Sequence, residues 1–95
     1  MRSLKKIGYS DLVDDDWYEC KVDNYCGGYD IWYFKFRSCN SDGLIGHKMC
    51  VSPNSSGGFF IQKNVGILCH KNEIKDGSIY KIHQDFIKIK FNIIL

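Results

Sequence analysis

The chain has 95 residues, of which 44% are hydrophobic, 15% aromatic and 25% charged, with a formal net charge of +2. A chain of this length folds around a single core, and its apolar content argues against disorder. The small net charge argues against the strongly basic face with which proteins usually bind nucleic acid or anionic membranes. We therefore expect one domain over residues 1–95.

The first sixteen residues are expected to pack on this domain as a separate N-terminal segment. Ser10 is a suitable N-cap, and Asp11 next to it would favour the positive end of a helix dipole, which predicts a short helical turn over residues 11–16. The segment lacks the apolar run and the cleavage site of a secretory signal. Five cysteines, an odd number, favour reduced thiols. We expect a cytoplasmic protein without a membrane span.

From Trp17 onward the pattern is typical of strands. Tyr18, Cys20 and Val22 alternate with polar neighbours as far as Asp23, and residues 24–28 have the asparagine and glycines of a hairpin loop. Residues 30–37 form the next predicted strand, with Trp32, Phe34 and Phe36 sharing one buried face. Further strands are predicted at residues 47–51, 59–63, 65–70 and 78–82, each bounded by turn residues.

The last ten residues, 86–95, show the clearest alternation. Apolar residues occupy every second position, which is the period of a strand with one buried face. The apolar set consists of Ile87, Ile89, Phe91 and Ile93, and the intervening polar set consists of Lys88, Lys90 and Asn92. The chain is therefore predicted to end in a strand.

Six to seven short strands with frequent turns predict a mainly β fold. We expect a small antiparallel barrel of the SH3-like or OB-like kind, or a compact sandwich, with a short N-terminal helical turn. The predicted core consists of Trp32, Phe34, Phe36, Phe59, Ile61, Ile79, Ile87, Ile89, Phe91 and Ile93.

Metal binding and catalysis find little support in the sequence. The pairs His47 with Cys50 and Cys69 with His70 are candidate ligands, but no C-x2-C knuckle is present, and residues 47 and 50 would point to opposite faces of a strand. No nucleophile elbow, zinc-protease, P-loop or dinucleotide motif occurs. We expect no metal, no cofactor and no enzymatic activity.

Binding of single-stranded nucleic acid by an OB-like domain is the alternative function. Lys81, Lys88 and Lys90 would project from the last strands, and Tyr25, Tyr29 and Tyr33 would offer rings for base stacking. The acidic residues at the other end of the chain weaken this electrostatic footprint.

Binding to another protein is the function that the sequence favours. An acidic run is followed directly by an aromatic residue, and a glycine-containing loop adds two tyrosines, a combination typical of binding hot spots. The predicted partner-binding residues are Asp11, Asp14, Asp15, Asp16, Trp17, Tyr25 and Tyr29. A composition rich in Ile, Lys and Asn and without Ala is typical of AT-rich coding DNA. This bias favours a bacteriophage or mobile-element accessory protein that binds and inhibits a host protein.

Overall fold

Antiparallel strands are the main secondary structure of this protein. The computed structural model describes residues 2–24, 26–39, 42–54, 56–74 and 78–94. These residues form strands β1 (Arg2–Lys6), β2 (Trp17–Asp23), β3 (Tyr29–Arg37), β4 (Leu44–Pro53), β5 (Phe59–Gln62), β6 (Gly66–His70) and β7 (Tyr80–Ile82), helix α1 (Gln84–Phe91), and 3-10 turns at Tyr9–Asp11 and Lys71–Glu73. The mainly β prediction is confirmed.

The strands pair in the order β1, β7, β2, β3, β4, β5, and β6 also pairs with β4. Within the described ranges no pairing joins β1 to β5 or β6, so the sheet is open and not a closed barrel. Among these same residues, no helix has the length and apolar character needed to cross a membrane.

The predicted hairpin between β2 and β3 is present, with Asp23 opposite Tyr29 and Trp17 opposite Lys35. The Asn24 side chain organises the loop, because its Oδ1 accepts hydrogen bonds from the backbone N–H groups of Cys26 (3.1 Å) and Gly28 (3.2 Å). Asn and Gly were expected here for their turn-forming ability, and the structure uses Asn24 in that way.

Strands β5 and β6 lie one after the other along the same side of β4. The pairs run from Pro53 opposite Phe59 to Leu44 opposite His70, so that the two short strands form one interrupted partner of β4. At the turn, Asn54 Oδ1 accepts from the N–H of Gly58 at 2.9 Å, and Gly57 adopts a φ of 86°. Glycine tolerates this left-handed conformation, which closes the hairpin.

Both faces of the sheet are apolar and buried over its centre. On one face Phe34 is fully buried, and the partly buried Trp32 and Phe36 pack against the same cluster. The prediction that these three residues share one buried face is confirmed. On the other face Trp17, Tyr33, Val51 and Ile82 form a second cluster together with Ile87 of α1. The sheet is therefore a central layer, and α1 covers part of one face.

The prediction of a C-terminal strand is wrong, because Gln84–Phe91 form α1. Ile87 is fully buried and Phe91 packs on the same cluster, whereas Ile89 is 72% exposed. Residues 87 and 91 lie one helical turn apart on the same face, but residue 89 lies on the opposite face. His83 caps the helix by accepting a hydrogen bond from the Asp85 N–H at Nδ1.

Two further predictions are corrected. Ser10 does not cap a helix over residues 11–16; it lies inside the 3-10 turn Tyr9–Asp11, whose N-cap is Gly8, and strand β1 precedes this turn. Phe59 is 38% exposed and is not a core residue. By contrast, Ile79 is buried and Ile61 and Ile93 are partly buried, as expected of core positions.

Candidate binding surface

The predicted acidic segment is tied to the sheet by its own hydrogen bonds. Asp14 Oδ1 accepts from the N–H of Ser38 at 2.9 Å and from its hydroxyl at 2.6 Å. These hydrogen bonds favour the ionised carboxylate and lower the pKa of Asp14. Asp11 accepts from the N–H of Gly8 at 3.2 Å and closes the 3-10 turn.

Asp15 contacts a lysine of β4, and Asp16 contacts a lysine of β7. Asp15 Oδ1 lies 2.6 Å from Lys48 Nζ, and Asp16 Oδ2 lies 3.2 Å from Lys81 Nζ. Lys48 is the extra residue of a bulge in β4, because Phe36 pairs with residue 47 and the residue before it pairs with residue 49. The acidic segment thus attaches the N-terminal part of the chain to β4, to β7 and to Ser38, the residue that follows β3.

The predicted aromatic residues that the structure describes form no common surface with the acidic segment. The Trp17 side chain is 5% exposed and packs in the cluster beneath α1. Tyr29 is 41% exposed and lies at the other end of the β2–β3 hairpin, about 20 Å along the strand from Trp17. Tyr25 lies outside the described residues.

A groove that the sequence did not predict opens on the helix-covered face of the sheet, beyond the end of α1. We call it the β3–β5 groove; it has a volume of about 450 Å³. It is lined by side chains of Tyr29, Ile31, Tyr33, Val51, Pro53, Phe59, Lys90 and Phe91, among others. Tyr33 and Val51 form a buried floor, whereas Tyr29, Ile31 and Phe59 are each about 40% exposed.

Aromatic packing fixes one end of the groove. The Phe91 ring of α1 lies 4.7 Å from the Phe59 ring and 5.4 Å from the Tyr33 ring, measured between centroids. Lys90 Nζ lies 5.9 Å from the Phe91 centroid and is therefore held near the apolar wall. At the opposite end Lys21 Nζ donates to the Tyr29 hydroxyl at 3.2 Å. An apolar surface is thus flanked by two ammonium groups.

A signal for this groove exists in the sequence. Residues 31–34 are four consecutive apolar or aromatic residues, so that both faces of β3 are apolar. Such continuous runs are typical of strands covered on both faces. The prediction of one buried face, that of Trp32, Phe34 and Phe36, overlooked this property.

Three of the five cysteines are small core residues. Cys20, Cys50 and Cys69 are buried, and burial raises the pKa of Cys50 and of Cys69 to about 12. These thiols are therefore protonated at neutral pH and unsuited to nucleophilic attack. Over the described parts of the chain, no group of three or more His, Cys, Asp or Glu side chains is arranged to hold a metal ion.

The lysines considered for nucleic-acid binding are partly paired. Besides the contact of Lys81 with Asp16, Lys88 Nζ lies 3.9 Å from Asp85 Oδ1. Tyr33 is 6% exposed, which leaves little of its ring for base stacking. Of the three lysines considered, Lys90 is the one that lines the β3–β5 groove.

Comparisons of this chain with protein-family models, curated proteins and solved structures found no match. We therefore base the functional proposal on the surface itself.

Proposed function

We propose that this protein is a non-enzymatic binding module that holds a segment of another protein in the β3–β5 groove. The supporting observation is the exposure of Tyr29, Ile31 and Phe59 around a buried apolar floor. Exposed apolar clusters on small proteins mark interaction sites, and aromatic side chains in well-packed depressions contribute most to binding hot spots.

The charges around the groove define the chemistry of the partner. Lys90 and Lys21 flank the apolar surface, and Asp30 at the rim accepts a hydrogen bond from the Asn24 side-chain amide at 3.3 Å. A segment with an apolar or aromatic side chain next to a carboxylate would complement this arrangement. In this proposal Tyr29 keeps its predicted role, whereas Asp14, Asp15, Asp16 and Trp17 hold the fold and Asp11 closes a turn.

We further propose that the partner is a host protein of a bacteriophage or mobile element. The support is compositional: the chain contains 12 Ile and 11 Lys, only 2 Arg and no Ala, as expected of AT-rich coding DNA. Occupation of the partner in the host cytoplasm would inhibit it.

The test uses one substitution in the groove and one matched substitution outside it. Ile31→Glu places a carboxylate on the apolar rim, and Ile89→Glu places the same group at an exposed position of α1. Partners are captured from bacterial lysate, identified by mass spectrometry, purified and titrated against each variant. We expect Ile31→Glu to weaken binding by about 30-fold or more, the loss of one hot-spot residue, and Ile89→Glu to bind as the wild type.

Equal affinity of both variants for the purified partner would refute the groove proposal. Circular dichroism of each variant verifies that it is folded. Retention on single-stranded DNA that falls steeply with salt and is unaffected by Ile31→Glu would support the nucleic-acid alternative instead.

A further inference from the structure

One edge of the sheet beside the groove is open. Strand β5 pairs with β4 along one side, and none of the described strands lies on its other side. Its residues are Phe59, Phe60, Ile61 and Gln62, and Phe60 is 59% exposed. Natural edge strands are usually protected by charges, prolines or bulges, because free backbone groups attract further strands. Strand β5 itself contains no charged residue, proline or described bulge, and Lys63 follows it directly in the sequence.

The hairpin geometry defines which backbone groups face outward. The Asn54 N–H donates to the Gly58 carbonyl at 3.1 Å, and hydrogen-bonded pairs alternate along an antiparallel ladder. Phe60 and Gln62 therefore direct their N–H and C=O groups toward β4. Phe59 and Ile61 direct theirs toward the open edge, while their side chains lie on the same face of the sheet as the groove.

We infer that the partner binds as an extended strand added to β5, with its backbone hydrogen-bonded to Phe59 and Ile61. This inference rests on the proposed function, and it specifies the conformation of the bound segment. Strand addition is a recognised mode of peptide binding in which the backbone contributes affinity and alternate side chains contribute specificity. Phe59 joins the two features, because its ring lines the groove and its backbone faces the edge.

A second copy of this chain fits the edge less well than a foreign segment. The open edge has four residues and is about 13 Å long. Pairing of two copies along so short an edge would bury less than the roughly 1,200–2,000 Å² that stable dimers typically bury. In a second copy, moreover, the side chains of Phe59 and Ile61 would pack on the helix and core of that copy, so they could not also fill the groove of the first copy.

The charges favour an acidic partner strand. Lys63 and Lys90 form no salt bridge with any residue that the structure describes, and Lys90 lines the groove that adjoins β5. We therefore expect a segment with apolar side chains at alternate positions and a carboxylate at one end.

The experiment uses peptides selected from a displayed library of random decapeptides on the immobilised wild-type protein. A selected peptide is synthesised, and amide hydrogen exchange of the protein is followed by NMR with and without it. We expect exchange at Phe59 and Ile61 to slow by at least tenfold, with Phe60 and Gln62 unchanged because their N–H groups already face β4. An N-methyl group on the peptide backbone is expected to abolish binding only at every second residue, where the N–H would face β5.

Three outcomes would overturn the inference. A peptide that Ile31→Glu no longer binds, but that leaves exchange at Phe59 and Ile61 unchanged, would refute strand addition and leave the groove proposal standing. The absence of any selected peptide that binds the wild type better than Ile31→Glu would also refute it. Slowed exchange at these two amides without peptide, together with a dimer in sedimentation, would assign the edge to a second copy.

Discussion

Replacement of two isoleucines in α1 tests whether the C-terminal residues are a helix or a strand. Ile87 is fully buried in the cluster beneath α1, whereas Ile89 is 72% exposed. In a strand the two side chains would share one face and contribute equally. In the helix they lie on opposite faces, so that Ile87→Ala and Ile89→Ala are expected to differ strongly.

The magnitude follows from burial. Ile87→Ala removes three carbon groups from a fully buried position, worth about 2.4 kcal/mol at about 0.8 kcal/mol each, and the residual cavity extends the expected range to about 2–5 kcal/mol. A domain of this size has a free energy of unfolding of about 5–14 kcal/mol. A loss of about 3 kcal/mol would lower Tm by about 12–24 °C. Ile89→Ala is expected to change stability by less than about 0.5 kcal/mol, because the side chain is mostly exposed and the higher helix propensity of Ala offsets the small loss of contacts.

Urea unfolding followed by circular dichroism measures both variants against the wild type. The midpoint of Ile87→Ala should fall with little change in the slope, since the same surface is exposed on unfolding. Equal destabilisation of the two variants would refute the helical assignment and restore the strand register.

Three other predictions concern stability and thiol reactivity. Gly46→Ala should destabilise the fold by about 1–3 kcal/mol, because the new Cβ would lie 2.6 Å from Cys39 Sγ and 2.8 Å from the Arg37 backbone oxygen of β3. Thermal unfolding measures the loss, and Gly28→Ala, whose new Cβ would have only contacts at 3.8 Å, is the control. Burial lowers the pKa of His47 below its ordinary value of 6.5, so the unfolded state binds more protons than the folded state just below pH 6.5, and stability should fall there as the pH drops. His47→Leu should remove this contribution to the pH dependence of the urea midpoint. An unchanged pH dependence in the variant would contradict the assignment to His47. Cys26 is exposed and should react rapidly with a thiol reagent at pH 8, whereas the three buried cysteines should react only on unfolding; fast labelling of more than two thiols would contradict their burial.

The strands of the central hairpin were predictable because their sequence determines both of their ends. Tyr18, Cys20 and Val22 alternate up to Asp23, and Asn24 begins a loop whose geometry its own side chain stabilises. Local pattern and tertiary packing agree for the face of Tyr18, Cys20 and Val22, and such agreement makes a strand predictable from sequence.

The C-terminal helix was not predictable from alternation, because its sequence satisfies two periods. Ile, Lys and Phe at residues 87–91 alternate as in a strand, and β-branched residues favour strands locally. The apolar spacing from Ile87 to Phe91 equally fits one helical turn. The apolar face of the sheet around Tyr33 and Val51 provides the tertiary contacts that favour the helix. Such contacts between distant residues routinely override local propensity.

Among the predicted partner-binding residues that the structure describes, Tyr29 is the one that lines the β3–β5 groove. The acidic segment has an evident composition, but its side chains contact Ser38, Lys48 and Lys81, which are 24 to 65 positions away in the chain. Pairing across such distances is determined by strand order. Periodicity leaves strand order undetermined, so the sequence does not indicate which side chains of the acidic run pair within the fold.

The groove lies where the helical cover of β3 stops. Ile87, Phe86 and Phe91 of α1 pack at the level of Tyr33 and Val51, and Asn92, in a left-handed conformation, ends the helix. The apolar face of β3 continues past Tyr33 to Ile31 and Tyr29, which are each about 40% exposed. The residues of this face that α1 leaves exposed are therefore the ones that we propose to bind a partner.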